Sequence, residues 1–229
     1  MRAPHSPNPL TPPPPPTVAI VGVHGVGKSY TAQQLEDLYG FRYVRLEAIC
    51  EAQGLHPTQR QVLFFSKFVS EYVEKTAKHS SGRRPIVFDS HPLLVLPYTE
   101  WWLSKAGKPP HEIEELVRAF KHIVRNLPKL TMLVYLKPAT IDTVIERIKS
   151  RSRFNFHEEL DEEYVTYIDN RTEELVAREG PKLAERVLVV KAELEGRERA
   201  TRIYRLMQAR PALTDGEGLS EEAVTPHGL

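Results

Sequence analysis

A single cysteine, Cys50, in 229 residues excludes an internal disulfide framework and a cysteine-built zinc site, and it fits a reducing compartment. No apolar run is long enough to span a bilayer, and prolines fill the N-terminal stretch where a signal peptide would need an apolar core. The expected location is therefore the cytoplasm, with no membrane partner. Charge of one sign is missing too: 31 Lys and Arg against 30 Asp and Glu leave a net charge of +1. Such a balance exerts no global pull on polyanions, which makes nucleic acid an unfavoured partner and points to a small anionic ligand. Internal repeats are absent, and so is the Asn-Lys-x-Asp stretch that reads guanine in regulatory switches.

What is present is enough for one α/β core, at 41% hydrophobic and 27% charged residues. Residues 1–16 hold 8 of the 19 prolines and read as an extended, disordered lead-in. Residues 210–229 carry Asp215, Glu217, Glu221 and Glu222 with scattered glycines and prolines, and read as a disordered acidic tail. The folded domain is expected over 17–209. Within it, apolar runs at Val18 to Val21, Tyr43 to Leu46, Ile86 to Phe88, Leu130 to Leu136 and Val187 to Val190 predict strands. Amphipathic stretches between them predict helices over 28–38, 60–78, 92–105, 111–126, 140–151, 161–178 and 196–209. Alternation of the two kinds implies a parallel sheet covered on both faces, with ligands beyond the carboxyl ends of the strands.

The first strand breaks into Gly22-Val-His24-Gly25-Val26-Gly27-Lys28-Ser29-Tyr30, the full Walker A spacing between an apolar run and a helix start. Glycines at 22, 25 and 27 let successive amides turn around a phosphate at the positive end of the following helix. Lys28 is placed to reach the β and γ phosphates of a triphosphate and Ser29 to hold Mg²⁺, and the loop from Gly22 to Tyr30 is the expected ATP cradle. His24 reads as a permissive loop position rather than a metal ligand.

The third strand delivers Asp89 to the sheet edge, where a hard oxygen ligand for Mg²⁺ belongs beside Ser29; the competing role is a helix cap before Pro92. Glu47 follows the second strand and could accept the proton of an acceptor hydroxyl, although a first-turn glutamate also simply favours a helix dipole. Arg147 and Arg151 lie four apart, with Arg153 where the helix gives way, so that a mobile segment over about 147–163 could fold arginines onto the transferring phosphoryl group. Acidic residues between Glu158 and Glu163 are expected to restrain that cluster; a solvated basic face is the simpler reading. Trp101 and Trp102 fit core packing better than a base-stacking platform.

On these residues the chain resembles the P-loop nucleoside and nucleotide kinase group over about 17–205. The stretches Leu133-Val-Tyr-Leu-Lys-Pro and Glu146-Arg-Ile-Lys-Ser-Arg-Ser-Arg look like those of deoxynucleoside and thymidylate kinases, while Asp89-Ser-His-Pro-Leu and Tyr98-Thr-Glu-Trp-Trp look like ribosylnicotinamide kinase domains. The resemblance implies a three-layer P-loop NTPase fold with strand order 2-3-1-4-5, ATP on the loop, an acceptor between Glu47 and Asp89, and lid arginines from Arg147, Arg151 and Arg153. It implies an ATP- and Mg²⁺-dependent kinase of a small molecule, a nucleoside ahead of a nucleoside monophosphate or nicotinamide riboside. Ser90 stands where those kinases usually place an arginine, so a phosphate-bearing acceptor lacks its expected clamp unless Arg42, Arg45 or Arg60 replaces it. A regulatory nucleotide switch and a polynucleotide-end kinase are the alternatives of other classes, and oligomeric state stays open, a homodimer included.

Overall fold

Five short apolar segments line up as one parallel sheet. The structure is a computed structural model and describes residues 14–46, 54–80, 82–150 and 157–209. Its strands are β1 (Thr17–Val21), β2 (Arg42–Val44), β3 (Ile86–Phe88), β4 (Leu130–Lys137) and β5 (Ala184–Lys191), ordered β2-β3-β1-β4-β5. The helices are α1 (Lys28–Tyr39), α2 (Pro57–Ser80), α3 (Val95–Lys105), α4 (Pro110–Arg125), α5 (Ile141–Lys149), α6 (Glu162–Leu183) and α7 (Gly196–Gln208), with 3-10 turns at Pro92–Leu94 and His157–Leu160. The three-layer α/β architecture and the strand order are those expected.

Strand residues alternate between two cores, as a period of two requires when both faces of a sheet are covered. Ala19, Val21, Leu133 and Tyr135 pack with α2, α3 and α4, whereas Val18, Ile20, Met132 and Val134 pack with α1, α5 and α7. Register places β1 between β3 (Ala19 opposite Phe88) and β4 (Val21 opposite Tyr135), so the chain after Val21 and the chain after Phe88 leave the sheet side by side. Two bidentate ion pairs brace the helical layer that covers the first core: Arg171 on Glu100 joins α6 to α3, and Arg125 on Glu179 joins α6 to α4.

Local differences from the periodicity have identifiable causes. The second strand ends at Val44 rather than Leu46, because the Leu46 amide leaves the ladder to donate to Asp89 Oδ1 at 3.2 Å. The expected helix from Pro92 is a 3-10 turn followed by α3; Pro97 falls in the first turn of α3, where no amide is required. Helix α6 runs past Arg178 through Gly180 and Pro181, a pair that reads as a terminator. A β-carbon on Gly180 would lie 2.9 Å from Val187 Cγ2, so the small residue lets the last turn approach β5 and continue. Helix α5 stops at Lys149, two residues before Arg151.

Candidate functional site

Buried β1 delivers a glycine loop whose shape depends on two crowded positions. Gly27 precedes α1 at φ +102°, and Gly25 has φ +81° with space for a β-carbon filled by Ile148 Cγ1 at 2.6 Å and the Val144 carbonyl at 3.1 Å. Both need left-handed backbone, and helix α5 presses directly on the loop. No side chain caps the first amides of α1, so these donors are available to an anion at the positive helix end. Lys28 Nζ donates to the carbonyls of Gly22 at 2.8 Å and Val23 at 2.9 Å, bridging the loop from within.

Asp89 is the hub on the other side. Its Oδ2 accepts from Ser29 Oγ at 2.8 Å and Tyr43 OH at 2.7 Å, and its Oδ1 accepts from the Leu46 amide. One carboxylate therefore ties the loop, the end of β2 and the end of β3 together. Burial, and after it the Asp89 carboxylate, push the Tyr43 phenol well above its ordinary pKa, so Tyr43 stays a donor. The helix-cap alternative does not hold for Asp89: the cap is His91, whose ring accepts from the Leu93 amide at 3.1 Å. Ser29 Oγ and Asp89 Oδ2 form a pair of hard oxygens facing the loop, a donor set that suits Mg²⁺ sharing phosphate oxygens. Among the described residues no cluster of three or more His, Cys, Asp or Glu forms a self-sufficient metal site.

Beyond Gly27 lies a cavity of about 560 Å³, lined by Tyr30, Arg147, Arg199 and the chain from Ala192 to Gly196. Arg199 is buried; its Nη1 donates to the carbonyls of Ala192 at 2.9 Å and Val26 at 3.4 Å, and its guanidinium lies 3.0 Å from where a Gly27 β-carbon would be. Burial, then the neighbouring Arg147, lower its pKa. Arg147 reaches the same Ala192 carbonyl at 3.4 Å, and neither arginine has a carboxylate within 4.0 Å among the described residues. An arginine pair bonded to carbonyls beside the loop suits an electron-rich or anionic ligand.

The sequence matches no protein-family model and no curated protein. Solved structures do match. The structure of deoxyadenosine kinase from M. mycoides with bound dATP aligns at a TM-score of 0.63 and 19% identity, over 84% of this chain and 100% of that one. The same enzyme with bound dCTP aligns at 0.58, and with products dCMP and a flexible dCDP at 0.59, both at 20% identity over 83% of this chain and 98% of theirs. This chain has the fold of that kinase. The expected three-layer P-loop NTPase fold, with its 2-3-1-4-5 order, is thereby borne out.

The structure brings the loop residues, Asp89 and Arg147 to one end of the sheet; Glu47, Arg151 and Arg153 lie outside the described residues. Two of the acidic residues expected to restrain the basic cluster have other partners: Asp161 caps α6 through the Glu163 amide, and Glu163 pairs with Lys105 at 3.2 Å. Glu159 lies buried, 3.6 Å from His24. His24 is accordingly more than a permissive position. Arg42 cannot serve as an acceptor clamp, because it opens β2 at the opposite end of the sheet and bonds His79 at 2.7 Å. Trp101 is core, packed on Tyr164 and Tyr167, as expected. Tyr43 and Arg199 escaped sequence reasoning, and so did the contact of Glu159 with His24. A tyrosine in a strand, a glutamate in an acidic run and an arginine in a basic helix carry no signal of their partners. No helix among the described residues is long and apolar enough to cross a membrane.

Proposed function

We propose that the chain is an ATP- and Mg²⁺-dependent kinase that phosphorylates the hydroxyl of a nucleoside, of the deoxynucleoside type. The observation that carries this reading is the Ser29–Asp89 contact at 2.8 Å, which joins a complete phosphate loop to the acidic end of β3. Ser90 supports an acceptor without a phosphate, since no arginine follows Asp89 and Arg42 is remote. The deoxynucleotides bound to the M. mycoides enzyme of the same fold support the deoxynucleoside class.

On this reading Lys28 exchanges its two carbonyl partners for oxygens of the β and γ phosphates, and the α1 amides hold the same phosphates by their dipoles. Ser29 and Asp89 would hold Mg²⁺, which supplies charge neutralisation on the phosphate oxygens when bound. Tyr43 and the Leu46 amide keep the Asp89 carboxylate oriented. Glu47 accepts the proton of the acceptor hydroxyl as its oxygen bonds to the γ phosphorus and the bond to the bridging oxygen of ADP breaks. Arg151 and Arg153 are the proposed partners of the charge on the transferring group, and Arg147 lines the cavity proposed for the base end of the donor.

The test is direct: Mg·ATP incubated with a panel of deoxynucleosides, nucleosides, nucleoside monophosphates, nicotinamide riboside and short oligonucleotides, with products resolved by mass. Phosphate on a nucleoside is the expected result. Transfer only to monophosphates or oligonucleotide ends, or acceptor-independent hydrolysis, would replace this reading with a monophosphate kinase, an end kinase or a switch.

A further inference from the structure

His24 occupies the phosphate loop, and its Nδ1 lies 3.6 Å from Oε1 of Glu159, whose side chain is 1% exposed. The imidazole is held from α3 by the Tyr98 ring, at a centroid distance of 5.1 Å and a tilt of 35°. Glu159 belongs to the 3-10 turn His157–Leu160, packed between α5 and α6, so its position is set by the fold rather than by a flexible surface side chain. A carboxylate removed from water beside a loop built for phosphates is an electrostatic conflict: both it and the ligand are negative, in a region of low dielectric. A protonated imidazole 3.6 Å from the carboxylate lessens it.

We propose that His24 and Glu159 form a charge-compensating pair at the phosphate loop, which makes triphosphate binding depend on the protonation of His24. The inference rests on the reading that this loop binds a triphosphate, and it assigns His24 a positioning and electrostatic role rather than contact with the reacting atoms. Several groups among the described residues face the ring. Lys28 shares its loop, Tyr98 faces it from α3, Glu159 faces it from the 3-10 turn, and α5 meets the loop through the apolar Ile148. The Tyr98 phenol is pushed up by burial and by the Glu159 charge, so it stays neutral near pH 7. Of the pair, the imidazole is the kind of group that ordinarily changes charge in that range. By linkage, a ligand that favours the imidazolium binds more tightly as pH falls through the imidazole titration and more weakly as it rises.

Calorimetric titration of ATP into the full chain, between about pH 5.5 and about pH 8.5, reads this dependence. Wild type should lose about tenfold in affinity across that range beyond the change shown by Glu159→Gln, which reports the protonation of ATP itself without the buried charge. His24→Gln should bind ATP more weakly than wild type at about pH 6, and the double variant should recover most of that loss. Equal pH slopes in wild type and Glu159→Gln, or His24→Gln matching wild type at low pH, overturns the pairing. Should Glu159→Gln fail to fold, the slope of His24→Gln against wild type decides alone. Lys28→Ala, measured alongside, separates the two levels: no ATP binding by wild type overturns the phosphate-loop reading, and the pairing with it. Binding that needs Lys28 but ignores His24 overturns the pairing only.

Discussion

Lys28 shows how much of this site is prepared before any ligand arrives: two backbone carbonyls hold its ammonium inside the loop where phosphates would lie. Those carbonyl contacts shape the loop and not the core, so Lys28→Ala should leave the melting temperature nearly unchanged while cutting phosphate transfer about 100-fold or more. Activity within twofold of wild type would remove the loop from the chemistry. Asp89 accepts three hydrogen bonds, and Asp89→Asn should lower turnover by about tenfold or more and shift the Mg²⁺ titration upward. Tyr43→Phe removes only one of the donors, costing about 1 kcal/mol of stability, with a smaller upward shift in the Mg²⁺ midpoint. An unchanged Mg²⁺ curve for Asp89→Asn would leave Asp89 a structural hub alone. Gly196 offers a third case. A β-carbon there would lie 2.2 Å from Cε1 of Tyr30, whose ring is 58% exposed and can swing out. Gly196→Ala should therefore cost little stability yet raise the KM for ATP several-fold, about 1 kcal/mol, and Tyr30→Ala in the same chain should reverse part of it.

Among elements, α6 carries a polar cost inside the core. Asp169 is buried and accepts from the Tyr135 hydroxyl of β4 at 2.8 Å; burial raises its pKa from 3.8 to about 6. The folded state thus holds a proton that the unfolded chain has lost, and stability present below pH 3.8 declines as pH rises to about 6. Asp169→Asn keeps an acceptor for Tyr135 without the charge. It should gain about 1–2 kcal/mol at pH 7 by thermal or urea unfolding, and little at pH 4. An equal gain at both pH values would show that packing and not ionisation is at issue. The turn after β3 has the opposite sign. His91 is buried as a neutral cap with its pKa lowered to about 3, so its contribution is full above the ordinary 6.5 and is lost as pH falls toward 3.

For the whole molecule, binding must appear as stability. ATP with Mg²⁺ at about 100 times its dissociation constant should add about 2.7 kcal/mol to unfolding, and Lys28→Ala should abolish that gain. The sequence by itself determined the sheet class, the phosphate loop and the acid after β3, because each is written in consecutive residues: a buried apolar strand, then glycines or a carboxylate at its end. Helix existence was equally local, whereas the run of α6 through Gly180 and Pro181 to Leu183 depended on what its last turn met. Only the tertiary structure decided which polar side chains share a site. Ser29, Tyr43 and Asp89 are separated by up to 60 residues and meet because parallel register aligns the carboxyl ends of β1, β2 and β3. Arg199 reaches Val26 across 173 residues, and Glu159 comes within 3.6 Å of His24 in the phosphate loop. Local patterns report the backbone and the face a residue occupies; partners are set by crossovers that bring distant segments to one sheet edge, and no short stretch of sequence encodes those.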